Sequence, residues 1–121
     1  MSYKIIIALG TNVRLENINY AQSALIRIFD NMRFSDTIQT KAIGERFYGT
    51  MFYNAIAIGS TSLNATDVTA CLKTIEKKCG DNKENRHLGK VILDLDLLEH
   101  NGQQFHEDDW EREYIKKLLN Q

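Results

Sequence analysis

The sequence contains no proline, only two cysteines, and no apolar run long enough to cross a membrane. Without proline, its turns depend on glycine and asparagine, and its loops are less rigid than proline-bearing loops. Cys71 and Cys79 lack the Cys-x-x-Cys spacing of a zinc site, and they indicate no disulfide framework. The apolar run near the first residue is too short for a signal peptide, and none approaches the ~20 residues of a membrane helix. We therefore expect a protein of the reduced cytoplasm with no membrane partner.

A surplus of one charge is also absent. Fifteen basic and sixteen acidic residues give a formal net charge of −1, whereas a general nucleic-acid binder needs a basic stripe that releases counterions. A chain of 121 residues has the commonest size of a single domain and can bury roughly two-thirds of its unfolded surface. We expect one domain over residues 1–121, as a monomer or weak dimer without a nucleic-acid partner.

Apolar periodicity and turn residues predict alternating strands and helices in the order βαββαβ. Thr11 or Asn12 is a candidate cap for the first helix, Asn64 or Thr66 for the second, and Gly80 ends the second helix. The predicted strands and helices cover residues 4–9, 15–29, 33–41, 52–58, 65–79 and 90–98, with loops at 45–50 and 81–89 and a short helix or tail at 108–119.

This order predicts an α+β, ferredoxin-like fold. Two helices would pack on one face of a four-stranded antiparallel sheet. The other face of the sheet would then be available for a functional site.

The clearest chemical signal is Asp94 and Asp96, set between leucines at positions 93, 95 and 97. Alternation along a strand places the two carboxylates on one face. Like charges ~7 Å apart in an apolar strand are costly to ionise unless a cation compensates them. Mg²⁺, held by one or two carboxylates together with substrate phosphates, meets that need. The alternative is a pair of aspartates at a solvated sheet edge.

Two further patterns are weaker. Phe52 and Asn54 share a strand face, and an aromatic plane beside an amide suits a flat heterocycle; the alternative is a core phenylalanine and a locally bonded asparagine. The loop at 83–90 places cations just before the acidic strand, where they could hold phosphate oxygens. The alternative for the loop is an ordinary solvated charged segment.

Several motifs together resemble those of the 6-hydroxymethyl-7,8-dihydropterin pyrophosphokinases. The most specific is the Leu-Asp-Leu-Asp of residues 93–96, which follows the Arg-x-x-Gly of residues 86–89. The Gly-Thr-Asn of residues 10–12 resembles the family's Gly-Ser-Asn, and the Phe-Tyr-Asn-Ala of residues 52–55 resembles its Tyr-Leu-Asn-Ala. The resemblance covers residues 3 to about 102 and is to a shortened, divergent member. It implies ATP-dependent transfer of a pyrophosphoryl group to the pterin hydroxymethyl in folate biosynthesis, with two Mg²⁺ ions.

The resemblance also implies site residues, taken position by position. Asp94 and Asp96 match the metal-binding and catalytic pair, with Arg86 and Lys90 as catalytic cations. The matching positions for the pterin are Thr40, Phe52, Asn54 and Tyr114. Those for ATP are Glu76, Lys83, His87, His106 and Arg112.

The sequence departs from the family pattern at several cationic positions. Val91 and Asp81 stand where the family has arginines, and Leu88 stands where it has a tryptophan. Because positioning and electrostatics dominate phosphoryl transfer, lost cations affect the rate more than the fold. Three interpretations follow: an active pyrophosphokinase, a weakened relative that binds pterin or nucleotide, or an unrelated ferredoxin-like binding module.

Overall fold

The computed structural model describes residues 1–41 and 51–121, and the loop predicted at 45–50 lies outside them. The described elements are, in chain order, β1 (Tyr3–Thr11), α1 (Glu16–Ile28), β2 (Asp30–Phe34), β3 (Ile38–Lys41), β4 (Met51–Thr61), α2 (Ala65–Cys79), α3 (Lys83–His87), β5 (Asp94–His100), β6 (Gln103–Gln104), α4 (Glu107–Trp110) and α5 (Glu113–Leu119).

The strands form one antiparallel sheet with β1 at its centre. The order is β2–β4–β1–β5–β6, and β3 also pairs with β4. Ile5, Ile7 and Leu9 of β1 are buried on one face of the sheet, while Ile6 is buried on the other. Burial on both faces explains why β1 is a continuous apolar run rather than an alternating one.

The first face of the sheet, here the helix face, is covered by α1 and α2. Each helix contributes apolar residues at three- and four-residue steps to a single core with the strands. They are Ile18, Ala21 and Leu25 from α1 and Val68, Leu72 and Ile75 from α2. Both predicted helices therefore lie on one side of the sheet.

The second face of the sheet is partly covered by the C-terminal helix. Ile115 and Leu118 of α5 are buried against Ile6, Ile56 and Leu98 of the sheet. A seven-residue amphipathic helix is stable only where its apolar side packs, so α5 stays against β4. The part of the second face that α5 leaves uncovered is the open face of the sheet.

The pairing of β1 with β5 contains a β-bulge. Ile6 pairs with Glu99, but the next residue, Ile7, pairs with Leu97. The extra residue is therefore Leu98, and beyond it Ala8 pairs with Asp96 and Gly10 with Asp94.

The sheet has more strands than the four predicted. The stretch predicted as one strand at 33–41 is two strands, β2 and β3, on the same edge of β4. The interruption occurs at Ser35, whose hydroxyl accepts a hydrogen bond from the Ile56 N–H while its own N–H donates to the Ile56 carbonyl. The two-residue β6 extends the other edge.

Helix caps were predicted correctly for α2 and incorrectly for α1. The Asn64 side chain accepts from the Asp67 N–H at the start of α2, and Gly80 ends it with a φ of 104°, a value that favours glycine. Helix α1 begins after Leu15 without a side-chain cap. Thr11 and Asn12 instead bond to the segment at 89–91.

The region at 81–93 also differs from the prediction. The Asn82 side chain caps a short helix, α3, by accepting from the Asn85 N–H, so the segment predicted as a loop is partly helical. Strand β5 begins at Asp94 rather than at residue 90, because side chains bind the backbone of Val91 and Ile92 that a strand partner would otherwise bond.

No helix within residues 1–41 and 51–121 is long and apolar enough to cross a membrane.

Candidate functional site

A cavity of about 310 Å³ lies on the open face of the sheet. Ala8 and Gly10 of β1 form its floor, and the flanking strands β4 and β5 contribute its two sides. Small residues at alternate positions of the central strand leave the volume that larger side chains would fill. The described residues that also line it are Leu9, Thr40, Lys41, Phe52, Asn54, Arg86, Val91, Asp94, Asp96, Asp109, Arg112 and Tyr114.

The predicted acidic pair lies on one side of this cavity. Asp94 and Asp96 face the open side, while Leu93, Leu95 and Leu97 are buried in the helix-side core. Only 26% of the Asp96 side chain is exposed. Burial first, and the charge of Asp94 second, raise the pKa of Asp96 to about 8. The two neighbouring carboxylates therefore favour the binding of a proton or a cation between them.

The opposite side of the cavity carries the predicted amide and aromatic residues. Asn54 pairs with Gly10 across β4 and β1, and Thr40 pairs with Phe52 across β3 and β4. The Thr40 hydroxyl donates to the Asn54 side-chain carbonyl. Asn54 and Asp94 are therefore opposite each other on either side of Gly10.

Gly10 is needed for this arrangement. A Cβ atom at this position would lie 3.3 Å from the amide nitrogen of Asn54 and 4.0 Å from the Phe52 ring. The first distance is tighter than ordinary van der Waals contact, so any side chain here would displace the amide.

Arg86 brings a cation to the acidic pair. Its Nε donates to Asp81 at 3.0 Å, and its Nη2 donates to the Leu93 carbonyl at 3.2 Å. The same Nη2 lies 3.5 Å from the Asp94 carboxylate. Burial of the guanidinium opposes its charge, but the bond with Asp81 and the charge of Asp94 outweigh burial and raise the pKa of Arg86.

The Thr-Asn of residues 11 and 12 holds the segment before the acidic strand. The Thr11 hydroxyl donates to the Val91 carbonyl, and the Asn12 side chain accepts from the Val91 N–H at 2.7 Å and donates to the Gly89 carbonyl at 2.8 Å. These side-chain hydrogen bonds fix where β5 starts. Val91 is buried by them and forms part of the cavity wall.

The C-terminal segment, at residues 109–114, also lines the cavity. Arg112, which forms an ion pair with Asp109 at 3.3 Å, and Tyr114 both line it. Burial raises the pKa of the Tyr114 hydroxyl above its ordinary value, although a hydrogen bond with Arg112 opposes the shift. The four residues predicted for the pterin therefore surround one cavity together with the acidic pair.

The residues predicted for ATP are divided among cavities. Glu76, Lys83 and His87 line a second cavity beyond Arg86. His106 lines a third, which it shares with Asp96, and its Nε2 lies 3.9 Å from the Asp96 carboxylate. Of these predicted residues, Arg112 alone is among the described residues lining the first cavity.

Glu76 and Lys90 are not among the described residues that line the first cavity, and their environments differ. Glu76 is 4% exposed and accepts from the Leu95 N–H at 2.7 Å; burial raises its pKa, and that hydrogen bond opposes the shift. The side chain of Lys90 is exposed.

Several cavity residues were not predicted. Ala8 and Gly10 carry a readable signal, namely two small residues at alternate positions of an apolar strand. Lys41 and Asp109 carry none, because neither position belongs to a pattern that predicts which way the side chain points.

Within the described residues, no three His, Cys, Asp or Glu side chains form a ready-made metal cage. Two carboxylates are nevertheless a common protein contribution for Mg²⁺, which usually keeps waters and takes substrate phosphates as further ligands. The cavity thus combines an acidic pair on one side with an aromatic ring and an amide on the other.

The sequence model of the 7,8-dihydro-6-hydroxymethylpterin-pyrophosphokinase family matches residues 6–121. The chain belongs to this family, which confirms the resemblance and implies pyrophosphoryl transfer in folate biosynthesis. A search of curated proteins found no match.

Proposed function

We propose that this chain transfers a pyrophosphoryl group from ATP to the hydroxymethyl group of 6-hydroxymethyl-7,8-dihydropterin, with Mg²⁺. The observation that carries the proposal is the shared cavity, in which Asp94 and Asp96 lie across Gly10 and Ala8 from Asn54. Family membership excludes the interpretation as an unrelated binding module. An active pyrophosphokinase and a weakened relative remain. We also propose that the fold is ferredoxin-like, because the strand order in the sheet includes β2–β4–β1–β5.

The pterin would bind between Phe52 and Tyr114. Its amide-like edge would hydrogen-bond to Asn54, whose orientation the Thr40 hydroxyl restrains. Rigid aromatic planes and a positioned amide hold a heterocycle without large ordering cost. The pterin hydroxymethyl would then point across Gly10 toward the acidic pair.

The phosphates of ATP would lie over the acidic pair, with the base toward the third cavity. That cavity adjoins the first at Asp96, and Leu95, Leu97 and Phe105 give it apolar surface. His106 and Arg112 could contact the ribose and phosphates. Lys83, His87 and Glu76 lie on the other side of Arg86, so a role of these three in binding ATP would be confined to its outer phosphates.

The proposed reaction forms a bond between the hydroxymethyl oxygen and the β-phosphorus and breaks the bond from that phosphorus to the α–β bridging oxygen, releasing AMP and the hydroxyl proton. Bound Mg²⁺ would neutralise phosphate charge as it develops. Asp94 and Asp96 would hold the metal, and Arg86 would donate hydrogen bonds to phosphate oxygens. The cavity walls would hold the two substrates in line, which supplies most of the rate in such transfers.

A second candidate is a relative that binds both ligands but transfers slowly. It is favoured by Val91, an apolar residue in the cavity wall, and by the exposed position of Lys90. Fewer cations at the phosphates would leave binding in place and lower the rate.

The deciding experiment is an assay with ATP, Mg²⁺ and hydroxymethyldihydropterin that measures AMP, paired with calorimetric binding of each ligand. AMP formation that requires all three components supports the enzyme. Binding without AMP supports the weakened relative. Failure to bind both ligands would refute the two together.

A further inference from the structure

Asp81 stands where the family resemblance places an arginine, yet its carboxylate accepts hydrogen bonds from three N–H groups, those of Arg86 Nε, Ile92 and Leu93. It follows Gly80, whose left-handed backbone turns the chain at the end of α2, and its N–H donates to the Glu76 carbonyl. Only 10% of its side chain is exposed. The end of α2 thus sets a carboxylate directly beneath the start of the acidic strand.

The Asp81 carboxylate binds two different things. One oxygen accepts from the N–H groups of Ile92 and Leu93 at 3.0 and 3.3 Å. Both oxygens lie 3.0 Å from the Nε of Arg86. These contacts restrain the guanidinium from the side away from the cavity, while its Nη2 reaches the Leu93 carbonyl and Asp94.

The restraint decides where the positive charge lies. An arginine held only by the cavity would approach both Asp94 and Asp96, because a flexible cation lies where the negative charge is greatest. It would then occupy the place that a metal and phosphates need. With Nε bound to Asp81, the guanidinium reaches Asp94 by one edge only.

We propose that Asp81 is a positioning residue, an inference that rests on the proposed function. Asp81 holds Arg86 at the edge of the acidic pair, so that the remaining donors of the Arg86 guanidinium meet the phosphates of the nucleotide. The family resemblance places arginines at positions 81 and 91, which are Asp81 and Val91 in this chain. Here Arg86, held by Asp81, would supply a cation in their place. Arg86 would be the group that touches the ligand, and Asp81 would act through it.

Asp81→Asn separates this role from a structural one. The asparagine oxygen can still accept from the N–H groups of Ile92 and Leu93 and from the Arg86 Nε. Its NH₂ group, however, replaces the second acceptor of Arg86, and the charge of the carboxylate is lost. The variants are Asp81→Asn, Arg86→Gln, the double variant, and Asp36→Asn as a control that removes one exposed carboxylate elsewhere.

The first measurement needs no ligand. In nitrogen-15 NMR spectra, the Nε–H of Arg86, identified by its loss in Arg86→Gln, is expected to exchange slowly with water in the wild type. The exchange should be faster than in the wild type in Asp81→Asn, because a single neutral acceptor replaces the carboxylate, and should be unchanged in Asp36→Asn. Exchange in Asp81→Asn as slow as in the wild type would overturn the proposal, because the Asp81 carboxylate would not be what holds the guanidinium.

The second measurement is the calorimetric affinity for a non-hydrolysable ATP analogue with Mg²⁺. Asp81→Asn should weaken it by about three- to tenfold, and adding Asp81→Asn to Arg86→Gln should change nothing further, because contacting residues that act as a unit are not additive. Equal losses in both backgrounds, or no loss in either, would overturn the positioning role. A wild type that binds no nucleotide would instead refute the proposed function, and the exchange measurement would still decide whether Asp81 holds Arg86.

Discussion

Replacing Asp96 by asparagine should stabilise the ligand-free protein, which is unusual for a half-buried polar residue. The carboxyl group lies beside Asp94 with 26% of its side chain exposed. Burial and the neighbouring charge raise its pKa to about 8. Asparagine has the same shape without the charge, so it removes the cost of ionising this group in the folded state.

The magnitude follows from the two pKa values. The carboxyl has its ordinary pKa of about 3.8 in the unfolded chain and a pKa of about 8 in the folded protein. At 1.36 kcal/mol for each pKa unit, the ceiling at pH 8 is on the order of 5 kcal/mol. Solvent screening of the exposed quarter lowers this considerably, and we expect a gain of about 1–2 kcal/mol. For a chain of this length that corresponds to about 4–8 °C in Tm.

The pH dependence has a definite sign. Because the folded state binds the Asp96 proton more tightly than the unfolded state, the wild type loses stability as the pH rises from about 4 to about 8. Asp96→Asn removes that part of the slope. The advantage of the variant should therefore be larger at pH 8 than at pH 5.

Urea unfolding with a metal chelator, followed by the fluorescence of the single tryptophan, measures this directly. Trp110 packs beside α5 and donates to the Phe105 carbonyl, so its emission reports native packing. Asp36→Asn removes one exposed carboxylate and should change stability by less than about 0.5 kcal/mol. A loss of stability in Asp96→Asn at pH 8, or a gain no larger than that of the control, would refute the reasoning.

Three further predictions concern ligands. A non-hydrolysable ATP analogue with Mg²⁺ should raise the Tm of the wild type by mass action, and Asp94→Asn should abolish the increase; equal shifts in a thermal-shift assay would exclude the metal role. Asn54→Ala should weaken pterin binding by about 1–3 kcal/mol in calorimetry, because the buried edge of the ligand loses its hydrogen-bond partner. The control Asn19→Ala, on the exposed side of α1, should leave the affinity unchanged. Unchanged affinity in both variants would contradict the pterin assignment. Gly10→Ala should lower pterin affinity while changing urea stability by less than about 1 kcal/mol, because its methyl group presses on the Asn54 amide; normal affinity would mean that the amide moves without consequence.

The predictable parts of the fold were those decided by local pattern. The alternation at 93–97 placed Asp94 and Asp96 on the open side, and an asparagine and a glycine bounded α2 correctly. The four residues predicted for the pterin do surround one cavity, although their roles stay predictions.

The unpredicted parts depend on residues distant in sequence. Strand β5 starts late because Asp81 and Asn12 bind the backbone at 91–93. The break between β2 and β3 depends on Ser35 meeting Ile56. The sequence predicted only a short helix or tail at 108–119, and nothing local to the seven residues of α5 says which surface they cover.

The bulge at Leu98 determines which side of the sheet carries the chemistry. With regular pairing continued from Ile6 and Glu99, Leu9 would have been opposite Asp96, and both carboxylates would have pointed into the core beneath α2. One additional residue reverses the facing of everything between it and the start of β5, because side chains alternate with a period of two. The bulge therefore lets Asp96 share the open face with Glu99, three residues away, although regular alternation would place two residues so spaced on opposite faces.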